Sequence, residues 1–159
     1  MSKAKTIGWI IATPFILVAG GIAFCEANKA YWDHKVKQWC EKDGGVTVYE
    51  KVELTKEEYE RNDGKDGVIR VPPEISSVAK NYDYVWKSVD TVINKSMPKV
   101  VKYEAIVYQK SNKKQLGKMV SYGRTGGDFP TIISVGSSFT CDDIEGISLD
   151  AAKQIFFVN

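Results

Sequence analysis

The chain is poor in the residues that most often carry chemistry. It has one histidine, and its three cysteines form no Cys-x-x-Cys pair. That shortage argues against the common zinc sets, which draw cysteine and histidine ligands at paired spacings. It also makes His34 the sole imidazole for any Ser–His or Cys–His arrangement. His34 stands beside Asp33 with no nucleophile marked near it, and reads as a surface residue. There is no internal repeat, low-complexity tract or long linker to divide the chain. Excess charge is missing too. Of the 22 Lys and Arg, Lys3 and Lys5 precede an apolar stretch, and the remainder matches the 20 Asp and Glu. A neutral domain lacks the basic field that nucleic-acid binding needs, so nucleic acid is not expected as a partner. No residue set points to a cofactor or a metal, and no residue is assigned a catalytic role.

What the chain does have is a long hydrophobic run. Ile7 to Phe24 is 18 residues without a charge. As a helix it would cover roughly 27 Å, close to the hydrocarbon thickness of a bilayer. Three fates fit such a run. Lipid attachment at Cys25 needs a small residue before the cysteine, where Phe24 stands. Signal cleavage has only loose sites at Gly21-Ile22-Ala23 and Cys25-Glu26-Ala27. An uncleaved anchor needs neither, and Pro14 is tolerable within a membrane helix. The expected division is therefore residues 1–25 as membrane anchor or uncleaved signal and residues 26–159 as a single periplasmic α+β domain.

Flanking charge scarcely orients the anchor, because Lys29, Lys35 and Lys37 balance Lys3, Lys5 and the amino terminus. Cysteine use does more. With Cys25 at the membrane edge, Cys40 and Cys141 remain as a pair, which in an exported domain reads as a disulfide. The alternative is two buried thiols.

Glu26 to Asp43 reads as a helix leaving the membrane, with Trp32, Val36, Trp39 and Cys40 on one face and Gly44-Gly45 as its stop. Val46 to Leu54 is β-rich. Thr55 and Glu58 form a capping-box pattern for a helix through about Arg61. Asn62–Gly67 is turn chemistry, leading to a brief strand Val68–Val71 ended by Pro72-Pro73. Tyr82, Tyr84 and Trp86 alternate as in a strand. Val100–Gln109 and Leu116–Tyr122, joined by the polar turn Lys110–Lys114, predict an antiparallel pair. Thr131–Val135 and Ile155–Val158 are further β candidates, and Ser148 is placed to cap a helical turn over Asp150–Gln154. The fold class is α+β: an N-terminal transmembrane helix, then a helix packed on a mostly antiparallel sheet.

Two stretches invite a site. "YGRTGGDFP" (Tyr122–Pro130) has the glycines of an anion loop but lacks the lysine and following helix, and Asp128 would repel an anion. Arg124, Gly126, Gly127 and Asp128 are kept as a possible binding loop, with Arg124 and Asp128 placed to pair. "CDDIEG" (Cys141–Gly146) breaks the alternation of calcium loops and reads as a solvated acidic turn.

Taken together, "CEKDGGVTVYEKVEL" from Cys40, "YGRTGGDFP" from Tyr122 and "SSFTC" ending at Cys141 resemble a group of small bacterial, sometimes phage-borne, membrane-anchored or lipoprotein-like envelope proteins. The resemblance spans roughly Trp39 to Cys141. It implies a cell-envelope setting, places Cys40 and Cys141 at matching positions, and supplies no activity. The functional expectation is a protein of the bacterial inner membrane, single-pass, with its domain in the periplasm. It would touch the lipid bilayer through its N-terminal helix and another envelope protein through the domain, as an interaction or binding module. An envelope enzyme or enzyme inhibitor using the Arg124–Asp128 loop is the alternative.

Overall fold

One helix carries the N-terminal quarter of the molecule. In the computed structural model, which describes residues 3–129 and 136–158 with side chains from Thr13 onward, α1 runs unbroken through Pro14 from Lys3 to Asp43. Gly45 ends it in the left-handed region, with φ +107°, where glycine bears no Cβ penalty. Among the residues with described side chains, no helical segment is long and apolar enough to cross a membrane. The charge-free stretch Ile7–Phe24 reaches back beyond them.

The sheet forms around a long hairpin. β3 (Tyr84–Asn94), β4 (Lys99–Gln109) and β5 (Gln115–Thr125) are antiparallel neighbours. β1 (Gly45–Val48) and β6 (Ser138–Thr140) share the far edge of β5, giving the path β1-β5-β4-β3 with β6 beside β5. The expected hairpin is therefore present, within a longer meander. Val46–Leu54 is not one strand. Tyr49 and Glu50 both donate to Leu116 O, which turns the chain away, so β2 (Val52–Leu54) pairs in parallel with β7 (Phe156–Val158) in a separate small sheet. Val68–Val71 forms no strand either; only Lys65–Val68 and Pro73–Trp86 bridges are made nearby. Thr131–Val135 lies outside the described residues.

The two short helices follow their caps. α2 (Lys56–Arg61) has the full Thr55–Glu58 capping box. α3 (Ala151–Ile155) is capped by Asp150, whose carboxylate accepts from Lys153 N at 3.0 Å. The expected cap, Ser148, instead accepts from Asp150 N.

Side-chain alternation divides the core between the sheet faces. On one face α1 lays Val36 and Cys40 against Val100, Val120 and Tyr122, with Trp32 and Trp39 at the border. The helix face expected from Trp32, Val36, Trp39 and Cys40 is the face that packs. On the other side Leu54, Ile69, Tyr84, Val107, Leu116, Ile155 and Phe156 form a second cluster beneath β2, β7 and α3. Cys40 and Cys141 are joined by a disulfide with α-carbons 5.3 Å apart, within the range a bridge allows. Cys25 is a free thiol.

Candidate functional site

Arg124 lies on the face of β5 that carries Val120 and Tyr122, beneath α1, and is only 2% exposed. A buried guanidinium needs acceptors on its donors, and this one has them. Its Nε pairs with Asp33 of α1. Its Nη1 donates to Gly126 O and to Ser137 O and Oγ, the last two at 3.1 and 3.2 Å.

Asp128, the expected partner of Arg124, goes elsewhere. It accepts from Ser137 N at 2.6 Å and Ser137 Oγ at 2.9 Å, and from Lys29 Nζ at 3.2 Å. The Ser137 amide, its hydroxyl and the Lys29 ammonium together hold the Asp128 carboxyl down at about 2. Lys29 is raised in turn, first by Glu26 and then by Asp128. Lys29 and Asp33 are four residues apart, one helical turn, so one edge of α1 grips both ends of the loop.

The glycines fit this structural role. Gly126 and Gly127 have φ +76° and +92°. A β-carbon on Gly127 would sit 2.9 Å from Pro98 Cβ, so close approach as well as backbone angle requires glycine there. The possible binding loop is thus a clasp between sheet and helix, with both its charges engaged by α1 and Ser137. The acidic turn after Cys141 is exposed, and its Asp143 completes a capping box, accepting from Thr140 N at 2.7 Å. Among the described residues no group of acidic, histidine or cysteine side chains is placed to hold a metal. His34 is exposed.

Open space lies both beside the loop, where a cavity of about 460 Å³ is lined by Phe24, Asn28, Met97, Gly126, Gly127 and Asp128, and on the opposite face. A cavity of about 300 Å³ is bounded by Val71, Trp86, Ala105, Met119, Leu149 and Ala152. Its size is at the lower end of ligand pockets, and its charged wall residue, Asp150, is occupied in capping α3. Its lining is otherwise apolar. Sequence reasoning missed it because its walls come from five separate segments. The alternation through Trp86 was the one visible signal.

No family model, no curated protein and no solved structure matches the chain.

Proposed function

We propose that the protein is a single-pass anchor of the bacterial inner membrane that presents a periplasmic, disulfide-closed α+β domain for binding another envelope protein. The observation that supports this best is the two-ended character of α1. Toward its N-terminal end Phe15, Ile16, Leu17, Val18, Ile22 and Phe24 are all exposed, Phe15 and Phe24 at 72%. Apolar residues bare on every side of a helix suit lipid rather than water. At the other end the same helix is tied by Cys40 to Cys141, a bond that persists in oxidising compartments.

Binding rather than catalysis is favoured by what the surface offers. The charges of the Arg124–Asp128 loop are committed to α1 and Ser137, while apolar side chains stand exposed on β3. Fusing paired reporters after β7, one active only outside the cytoplasm and one only inside, tests the topology. Activity of the external reporter in the membrane fraction is expected; activity of the internal one alone would overturn the reading.

A further inference from the structure

We propose that the free edge of β3, from Ser88 to Val92, takes an added strand from another protein. That strand is an extended segment running parallel to β3, with a basic residue beside Asp90 among β-branched apolar ones. This rests on the reading of the domain as a binding module and gives it a place and a mode.

β3 ends the sheet path, and among the described residues its outer edge is paired only at Trp86. There Trp86 N donates to Pro72 O at 3.1 Å and Glu74 N to Trp86 O at 2.8 Å, a parallel bridge centred on Pro73. The chain then turns off, with Ser76 N donating to Pro73 O. In an antiparallel ladder successive residues point alternately inward and outward. Since Trp86 points outward, so do the N–H and C=O groups of Ser88, Asp90 and Val92. None of these groups has a backbone partner among the described residues.

Sheet edges are ordinarily blunted by proline, bulges, lysines or a cover. From Ser88 to Val92 there is no proline or glycine and a single charge, Asp90; the register shifts only beyond this stretch, between Val92 and Asn94. Exposed apolar side chains collect along the same border: Ile75 at 95%, Val89, Val92, Ile93 and Met97. Such an edge supplies backbone pairing for affinity and side-chain recesses for specificity. A cavity lies just inward of this edge, bounded by Trp86 of β3 and by Ala105, the cross-strand partner of Ser88 on β4.

The direction and charge of the occupant follow. A parallel strand continues the line begun by Pro72–Glu74. Antiparallel pairing with a second copy centred on Asp90 would set like charges opposite each other. It would also turn the two Met97 ends apart, although each lies beside Asn28 of its own α1, which donates to Met97 O. Two anchors in one membrane do not permit that. Asp90 makes no ion pair among the described residues, so a basic residue complements it.

The test uses the full chain in lipid nanodiscs and the probe acetyl-Thr-Val-Lys-Val-Thr-Val-amide, with hydrogen exchange read at single amides. The Ser88, Asp90 and Val92 amides are expected to slow by ~10-fold or more at saturation. A probe N-methylated at alternate residues should have no effect. Asp90→Lys should transfer the preference to a probe carrying Glu in place of Lys. Asp90→Pro should abolish the protection without lowering the melting temperature, because the lost donor faces away from β4. Unchanged exchange at the three amides of the folded chain overturns the proposal, as does equal protection by the methylated probe. Protection confined to Leu149–Ala152 overturns the edge yet leaves a binding module in place. An internal topology in the reporter experiment sinks the envelope reading while leaving this result intact.

Discussion

Lys29 and Asp128 stand 99 residues apart in sequence and meet at 3.2 Å, one turn of α1 from the pairing of Asp33 with Arg124. The two contacts run in opposite sense: the helix offers a cation then an anion, the sheet and its loop an anion and a cation. Swapped charges would repel at both points, so the pair fixes the rotational setting of α1 on the sheet.

Removing the buried partner should cost most. Arg124→Met leaves Asp33, Gly126 O and Ser137 O without their donor, and should lower stability by about 2–4 kcal/mol. Asp33→Asn keeps an acceptor on a partly exposed side chain and should cost less than half as much. Thermal unfolding of the disulfide-bonded chain in mild detergent measures both; equal effects would contradict the assigned geometry.

The clasp sets an acid dependence. The folded-state carboxyl of Asp128 titrates at about 2, below its ordinary value of 3.8. Its contribution is therefore present above pH ~4 and is lost as pH falls through about 2. Carbon-detected titration of Asp128 should show the depressed midpoint, and Asp128→Asn should remove that part of the acid loss. A midpoint at the ordinary value would show that Ser137 does not hold the carboxylate.

Gly126→Ala should lower stability by about 1 kcal/mol, from its positive φ alone. The β-carbon there meets Met97 Sδ at 3.1 Å, the movable part of a flexible side chain. Gly127→Ala should cost more, because it meets the Pro98 ring. Denaturant midpoints will rank the two. A full-stability Gly126→Ala that loses a measurable activity would make the loop a site.

How much of this was readable without coordinates varies with where the partners lie. The face of α1 and the β4–β5 pair were legible because apolar residues repeat there at the period of the element, Val36 and Cys40 on the helix, Val101 and Val107 on the strand. The outer half of β3 was hidden for the same reason. From Lys87 to Ile93 both faces are exposed, and Ser88, Asp90 and Val92 alternate with Lys87, Val89 and Thr91 without a polarity contrast. The partners of Arg124 were also beyond sequence. An adjacent aspartate, Asp128, is the obvious choice in one dimension, while Asp33 arrives only once the helix is packed.

The bridge between Cys40 and Cys141 spans 101 residues. On the chain-entropy model its reduction should cost about 4–5 kcal/mol. Reductant should lower the melting temperature of the wild type and leave Cys40→Ala/Cys141→Ala unchanged. A wild type indifferent to reductant would remove the bridge from the account.

Thiol counting in acid-quenched cells puts the proposed oxidised domain and its uncleaved membrane helix to a single test. Membranes are isolated, the chain is denatured, and a maleimide polymer tags each free cysteine as a step on a gel. A full-length band in the membrane fraction is expected, with one tag, on Cys25, before reduction and three after. Three tags without reductant would contradict the oxidising compartment. A shortened band, or no tag before reduction, would contradict the uncleaved and unmodified anchor.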